Sequence, residues 1–157
     1  MSKTTRATLV LAKAGIAHSV HAYAYDPGAE RIGLQAAEAL GVPPGRLLKT
    51  LMAQVDGKPV CVLVPSDREV SLKKLAVAFG GKTAAMMRPA EAERLTGYHV
   101  GGISPLGQKR AVSTLVEADA LGHAQVFVNG GQRGLQILLA PADLVAVLGA
   151  RTGAVTG

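Results

Sequence analysis

A chain of 157 residues that is 48% hydrophobic and 18% charged has the composition of a folded globule, not of a disordered tail, and fits one ordinary domain over 1–157. Aromatic residues make up only 3%, which points to an aliphatic core and against a broad platform for stacking bases. Lysine and arginine outnumber the acids by 17 to 11, a net charge of +6 that favours a polyanionic partner, and the lone Cys61 rules out an internal disulfide or a multi-cysteine metal site.

Thr4 or Thr5 can cap a first helix that runs to about Ala14, with Gly15 as its stop. The apolar run 9–12 meets Lys13 too early for a secretory segment, and no run reaches membrane-spanning length. A cytoplasmic protein with no membrane partner is expected. Residues 17–25 read as a strand broken by Asp26-Pro27-Gly28, and 34–40 as a short helix ended by Gly41 before the rigid Pro43-Pro44-Gly45 turn.

The run 47–55 alternates as a strand, so Lys49 shares a face with Leu51, Ala53 and Val55, while Thr50 joins Leu48, Met52 and Gln54. An ammonium aimed at apolar surroundings needs a partner, a route to water along its own stem, or a cavity that receives an anionic or carbonyl ligand. Asp56-Gly57 signals a tight hairpin into 60–64, apolar enough to be buried on both faces and to hold Cys61 as a small hydrophobe. A helix over 72–79 follows Ser71, ends at Gly80-Gly81 and turns Lys73 and Lys74 to solvent. A short strand spans 83–87, and 89–95 forms a helix with proline in its first turn and Gly97 after its end.

The glycine-rich loop 101–107 then leads through Lys109-Arg110 into a strand over 111–116. Strands over 126–129 and 135–139 form a hairpin joined by 130–134, before a last helix over 141–148. Intermixed helices and hairpins define an α+β class: a mixed, largely antiparallel curved sheet or barrel surrounded by helices.

Several chemistries fall away on spacing. A phosphate-binding P-loop requires glycine directly before the lysine of Lys49-Thr50, where two leucines stand. His18, His21, His99 and His123 have no zinc-cluster spacing. Ser104 is the best-exposed candidate nucleophile, but it lacks the Gly-x-Ser-x-Gly elbow, and shaping the loop or bonding a ligand are its alternative roles. Adjacent glycines at 101 and 102 allow backbone amides to approach a carbonyl oxygen, an oxyanion or a phosphate, or else simply make a tight turn. The same choice applies to Asn129-Gly130-Gly131.

Lys49-Thr50-Leu51, the long segment 96–110 (Thr-Gly-Tyr-His-Val-Gly-Gly-Ile-Ser-Pro-Leu-Gly-Gln-Lys-Arg) and Gly130-Gly131-Gln132-Arg133-Gly134-Leu135 together closely resemble the YbaK-like Cys-tRNA(Pro) deacylases, relatives of the editing domain of bacterial prolyl-tRNA synthetases. The resemblance implies hydrolysis of the ester joining a wrong amino acid to the 3′ end of tRNA(Pro), with no metal or organic cofactor. Cysteine is the implied aminoacyl group, its own thiol attacking the ester; alanine and a non-catalytic module that holds tRNA or a synthetase are the alternatives. Its partners are the acceptor end of mischarged tRNA(Pro) and prolyl-tRNA synthetase. By matching positions, Lys49 contacts the terminal phosphate or ribose, and Gly101, Gly102 and Ser104 belong to the carbonyl-holding loop with Ile103 and Pro105. Tyr23, Thr50, Ile32, Asn129, Gly130, Gly131 and Gln136 would surround the substrate. Ile32, Asn129 and Gln136 stand where many relatives carry phenylalanine, serine and aspartate, and Tyr25 is a rival for the place of Tyr23.

Overall fold

The computed structural model describes residues 4–28 and 32–157, with the side chains of 32 and 33 left aside. Its first helix, α1 (Arg6–Ala14), begins at Thr5, whose hydroxyl accepts from Thr8 N while Thr8 Oγ1 accepts from Thr5 N at 2.8 Å. It stops at Gly15, whose φ of 69° suits a residue without Cβ. The following strand β1 is Ser19–Ala22, shorter than the expected 17–25. One further bond, Tyr23 N to Gly134 O, holds the chain to its neighbour before it leaves the sheet.

Helix α2 (Ile32–Leu40) and a 3-10 turn at Pro44–Arg46 lead into β2 (Leu48–Val55). The Asp56-Gly57 turn, both residues at positive φ, reverses the chain into β3 (Lys58–Pro65) in the register Val55↔Lys58 to Leu48↔Pro65. That pair of left-handed residues makes the hairpin turn match the strand twist. The Asp56 carboxylate braces the turn, accepting from the amides of Lys82 and Thr83. Next come α3 (Leu72–Ala78), β4 (Ala84–Met86), α4 (Pro89–Thr96) and β5 (Ser113–Glu117). The hairpin β6 (Val126–Asn129) and β7 (Leu135–Leu139) precedes α5 (Pro141–Leu148) and β8 (Arg151–Gly153).

The strands make two sheets where one curved sheet or barrel was expected: a three-stranded antiparallel sheet β1-β7-β6, and a five-stranded mixed sheet β4-β2-β3-β5-β8. A parallel bridge between Leu47 and Phe127 joins them. The α+β class stands, with parallel pairing confined to β3-β5 and β5-β8. One core packs α1, α4 and α5 against both sheets through residues such as Leu11, Met52, Leu63, Leu106, Ile137 and Leu144. A second lies on the opposite face of β2 and β3, where Ala53, Val55, Val62 and Val64 meet Leu75 of α3. Both faces of these strands are therefore buried, as the unbroken apolar run of β3 requires. Strand β8 and the short 3-10 turn at Ala118–Gly122 carry no sequence signal strong enough to have been anticipated.

Glu117 ties β5 to the chain's last residues. Its side chain is 1% exposed, and Oε1 accepts from Val155 N at 2.9 Å and Thr156 N at 3.0 Å. Burial pushes its pKa up, but the amides of Val155, Asp119 and Thr156 outweigh this and hold it below the ordinary carboxylate value. The unfolded pKa is thus the higher one, so the stabilisation is complete at neutral pH and is lost as pH falls through the folded value. Replacing Glu117 by alanine is expected to cost about 1–3 kcal/mol by leaving buried amides unpaired; urea titration at pH 7 and pH 3 would show a difference between wild type and variant that shrinks in acid. Cys61 is enclosed and its thiol pushed up to about 12 by burial, so a disulfide reagent should label it only after denaturation.

Candidate functional site

A cavity of about 420 Å³ opens where the segment after β1 meets β2, β6, β7 and the 98–107 loop, within the range of about 300–1,000 Å³ common to small-molecule sites. Tyr23, Tyr25, Lys49, Thr50, Gly101, Ile103, Asn129 and Gln136 line it. Tyr23 and Tyr25 both line the cavity and so are joint members of its wall, not rivals. Leu47, Leu48 and Ala36 supply the apolar floor.

The two glycine loops approach each other so closely that side chains would collide. A Cβ on Gly101, at φ 89°, would lie 2.7 Å from the Tyr25 hydroxyl, and one on Gly102 would lie 2.9 Å from Arg133 N. Asn129 clamps the loops together, donating from Nδ2 to Gly101 O at 3.1 Å and accepting from Gly131 N at 2.8 Å. Behind the loop, Tyr98 donates to Leu106 O at 2.6 Å under the Arg6 guanidinium, and Thr5 donates to Gly130 O at 2.6 Å. Helix α1 therefore anchors both loops.

Not every residue of the long loop reaches the cavity. Gly102 N donates to His99 O at 2.8 Å, closing the tight turn that the sequence left as an alternative, so this amide is not offered to a ligand. The amides of Gly101 and Ile103 make no hydrogen bond among the described residues. Ser104 is fully buried, its Oγ accepting from Leu106 N at 3.2 Å; it shapes the loop and does not line the cavity. Pro105 faces a separate groove beside Val10 and Val147. Gly130 and Gly131 form the β6–β7 turn, and Gly131, at φ 95°, packs on the Tyr98 ring. The expected contact from the Ile32 side chain lies outside the described side chains.

Lys49 does have a partner, and it is a carboxylate of the chain itself. Its Nζ lies 3.3 Å from Glu69 Oε1, with the lysine side chain 21% exposed and the glutamate 75%. The stem thus runs over the second core while the charge emerges at the rim. Arg133, which sequence reasoning read only as part of a turn, is a second cation at that rim. It donates from Nε to Val100 O at 2.9 Å and stacks 5.6 Å from the Tyr25 ring. Its place in the Gly-Gly-Gln-Arg-Gly segment was the available signal.

Inside, polar groups are left wanting. Tyr23 Oη, Thr50 Oγ1 and Gln136 Oε1 are the buried side-chain polar atoms without a hydrogen-bond partner among the described residues, and all three line this one cavity. Burial raises the Tyr23 pKa, and the adjacent Gln136 side chain lowers it through a contact that falls short of hydrogen-bond geometry and satisfies neither group, so the hydroxyl stays protonated and able to donate at neutral pH. Unsatisfied buried groups cost stability unless a ligand completes them.

These features coincide with a known family: residues 27–147 match the model of the aminoacyl-tRNA editing domain. The chain is 38% identical over 122 residues to EbsC of Enterococcus faecalis, provisionally named a Cys-tRNA(Pro)/Cys-tRNA(Cys) deacylase, covering 76% of this chain and 74% of that protein. It is 36% identical over 98 residues to the proline–tRNA ligase of Acidithiobacillus ferrooxidans, covering 62% of this chain but only 17% of the ligase. A crystal structure provisionally described as a trans-editing enzyme for prolyl tRNA synthetase superposes with a TM-score of 0.85 at 25% identity, over 100% of this chain and 98% of the other. The chain belongs to the aminoacyl-tRNA editing domain family.

Thr50→Val keeps the shape of the side chain and removes an orphaned hydroxyl. The variant is expected to gain about 1 kcal/mol, read as a melting temperature higher by about 2–4 °C.

Proposed function

We propose that this chain is an editing deacylase that cleaves the aminoacyl ester of mischarged tRNA(Pro), with cysteinyl-tRNA(Pro) as its substrate. The observation that carries the reading is the convergence of Tyr23 Oη, Thr50 Oγ1 and Gln136 Oε1 on one cavity of an editing-family fold. An aminoacyl ester offers both the acceptors that the two hydroxyls lack and, in its amino group, a donor for the glutamine oxygen.

The cations Lys49 and Arg133 at the rim suit the phosphodiester and ribose of the tRNA terminus, with Lys49 exchanging Glu69 for the incoming anion. The free amides of Gly101 and Ile103 are the groups that would hold the ester carbonyl oxygen as negative charge develops on it. For the cysteinyl substrate, the thiol sulfur forms a bond to the carbonyl carbon and the bond from that carbon to the ribose oxygen breaks. The thiol proton ends on the ribose oxygen and a cyclic thiolactone leaves. No protein nucleophile is required, in keeping with a Ser104 turned into its own loop and a Cys61 thiol raised far above neutrality.

The test is deacylation of Cys-, Ala- and Pro-tRNA(Pro) by the purified protein. Rapid multiple turnover on the cysteinyl substrate is expected, with slower release of alanine, which lacks the thiol. Lys49→Ala should lower kcat/KM at least about tenfold, the loss of one charge-assisted contact, and Thr50→Val should lower activity despite its gain in stability. Stoichiometric binding without turnover would favour a tRNA-holding module, and no hydrolysis of any mischarged substrate would sink the assignment.

A further inference from the structure

A second depression, about 490 Å³, lies between the β2–β3 hairpin and α4 and is lined by Gln54, Pro59, Leu95, Arg94, Lys109 and Arg110, among others. Its three cations are held on rigid backbone. Lys109 N donates to Thr96 O at 2.8 Å and Arg110 N to Leu95 O at 3.3 Å, so both residues cap the end of α4 from which Arg94 projects. Yet among the described residues none of the three side chains takes part in an ion pair or a side-chain hydrogen bond. Glu91, the one acid in the lining, lies 4.0 Å from Arg88 instead. Positive charge near the C-terminus of a helix complements its dipole, which accounts for one or two of these residues but not for a groove that gathers three cations against a single acid.

The position of the groove indicates its occupant. Gln54 projects from the same face of β2 as Thr50, four residues and therefore about 13 Å further along the strand. The segment 95–101 borders both hollows, with Leu95 in the groove and Val100 and Gly101 in the cavity. A nucleic acid whose 3′ end enters the cavity would lay phosphates a few nucleotides upstream across this distance. We propose that Arg94, Lys109 and Arg110 form a second, phosphate-binding contact for the RNA strand that leads into the cavity. The contact rests on the proposed deacylase reading for its substrate. It adds affinity for RNA length without touching the reacting ester, because phosphate contacts position a strand and carry no information about the aminoacyl group.

The variant Arg94→Gln/Lys109→Gln/Arg110→Gln tests this on two substrates: Cys-tRNA(Pro) and cysteinyl adenosine, the ester of the terminal nucleoside alone, which carries no phosphate. The short substrate ends before the groove and also reports on folding. On full-length tRNA, kcat/KM should fall about tenfold or more at 0.1 M salt, and the log–log slope against salt should flatten by about 2–3. On cysteinyl adenosine, wild type and variant should agree within twofold. Equal rates on both substrates, or equal losses on both, overturn the groove contact while leaving the deacylase reading in place. If the wild-type protein cleaves neither ester, the deacylase reading fails, and the groove is judged by binding of a labelled, uncharged acceptor minihelix. There the triple variant should lose about tenfold in affinity, and unchanged affinity, or equally tight capture of polyglutamate, overturns the proposal.

Discussion

The register of β2 against β3 governs the rest of this protein. Because both faces of β2 are buried, with Leu48 and Met52 in one core and Ala53 and Val55 in the other, a slip by one residue would exchange the two apolar sets. It would also exchange the places of Lys49 and Thr50, turning the cation inward and the hydroxyl to the rim. The Asp56-Gly57 turn prevents this, since a two-residue turn with both residues at positive φ admits one pairing of the flanking strands. The Asp56 carboxylate, held below its ordinary pKa chiefly by the Thr83 and Lys82 amides, ties that turn to the strand on its other side.

Around this strand the molecule carries local losses concentrated at one cavity. Among the described residues, three buried polar atoms without partners lie in this one cavity, a concentrated cost beside buried groups such as Glu117 and Thr96 that are well bonded. Elsewhere the chain spends its polar groups on rigidity. Asn129, Thr5 and Tyr98 use their side chains to pin one loop against another. The cavity wall is thus a stiff frame around a few unsatisfied groups, an arrangement that favours binding because little ordering remains to be done when the ligand arrives.

The charge of +6 is likewise not spread evenly in its effect. Some cations are engaged within the fold: Lys74 Nζ donates to Thr156 O, Arg68 to Thr156 Oγ1, and Arg6 lies over Tyr98. Lys49 and Arg133 stand at the cavity, and Arg94, Lys109 and Arg110 at the groove beyond. The surplus is therefore available where an anionic strand could follow it.

Most helices and strands were legible in the sequence, because capping residues, positive-φ glycines and alternation are local signals: Thr5 and Gly15 bound α1, and Asp56-Gly57 placed the main hairpin. Long loop motifs identified the family, and the α+β class followed from the order of elements. Tertiary structure alone decided the division into two sheets, the pairing of β1 with β7 across more than a hundred residues, and which loop atoms face the cavity. Sequence placed Gly102, Ser104 and Pro105 beside Gly101 with equal standing; the folded loop spends the Gly102 amide on His99 and turns Ser104 inward. It also gave Lys49 a partner in Glu69 and brought Arg133 to the rim. The physical reason is that propensity and capping act within a few residues, whereas a hydrogen-bond partner or a cavity wall is made by segments whose meeting depends on how the whole chain packs.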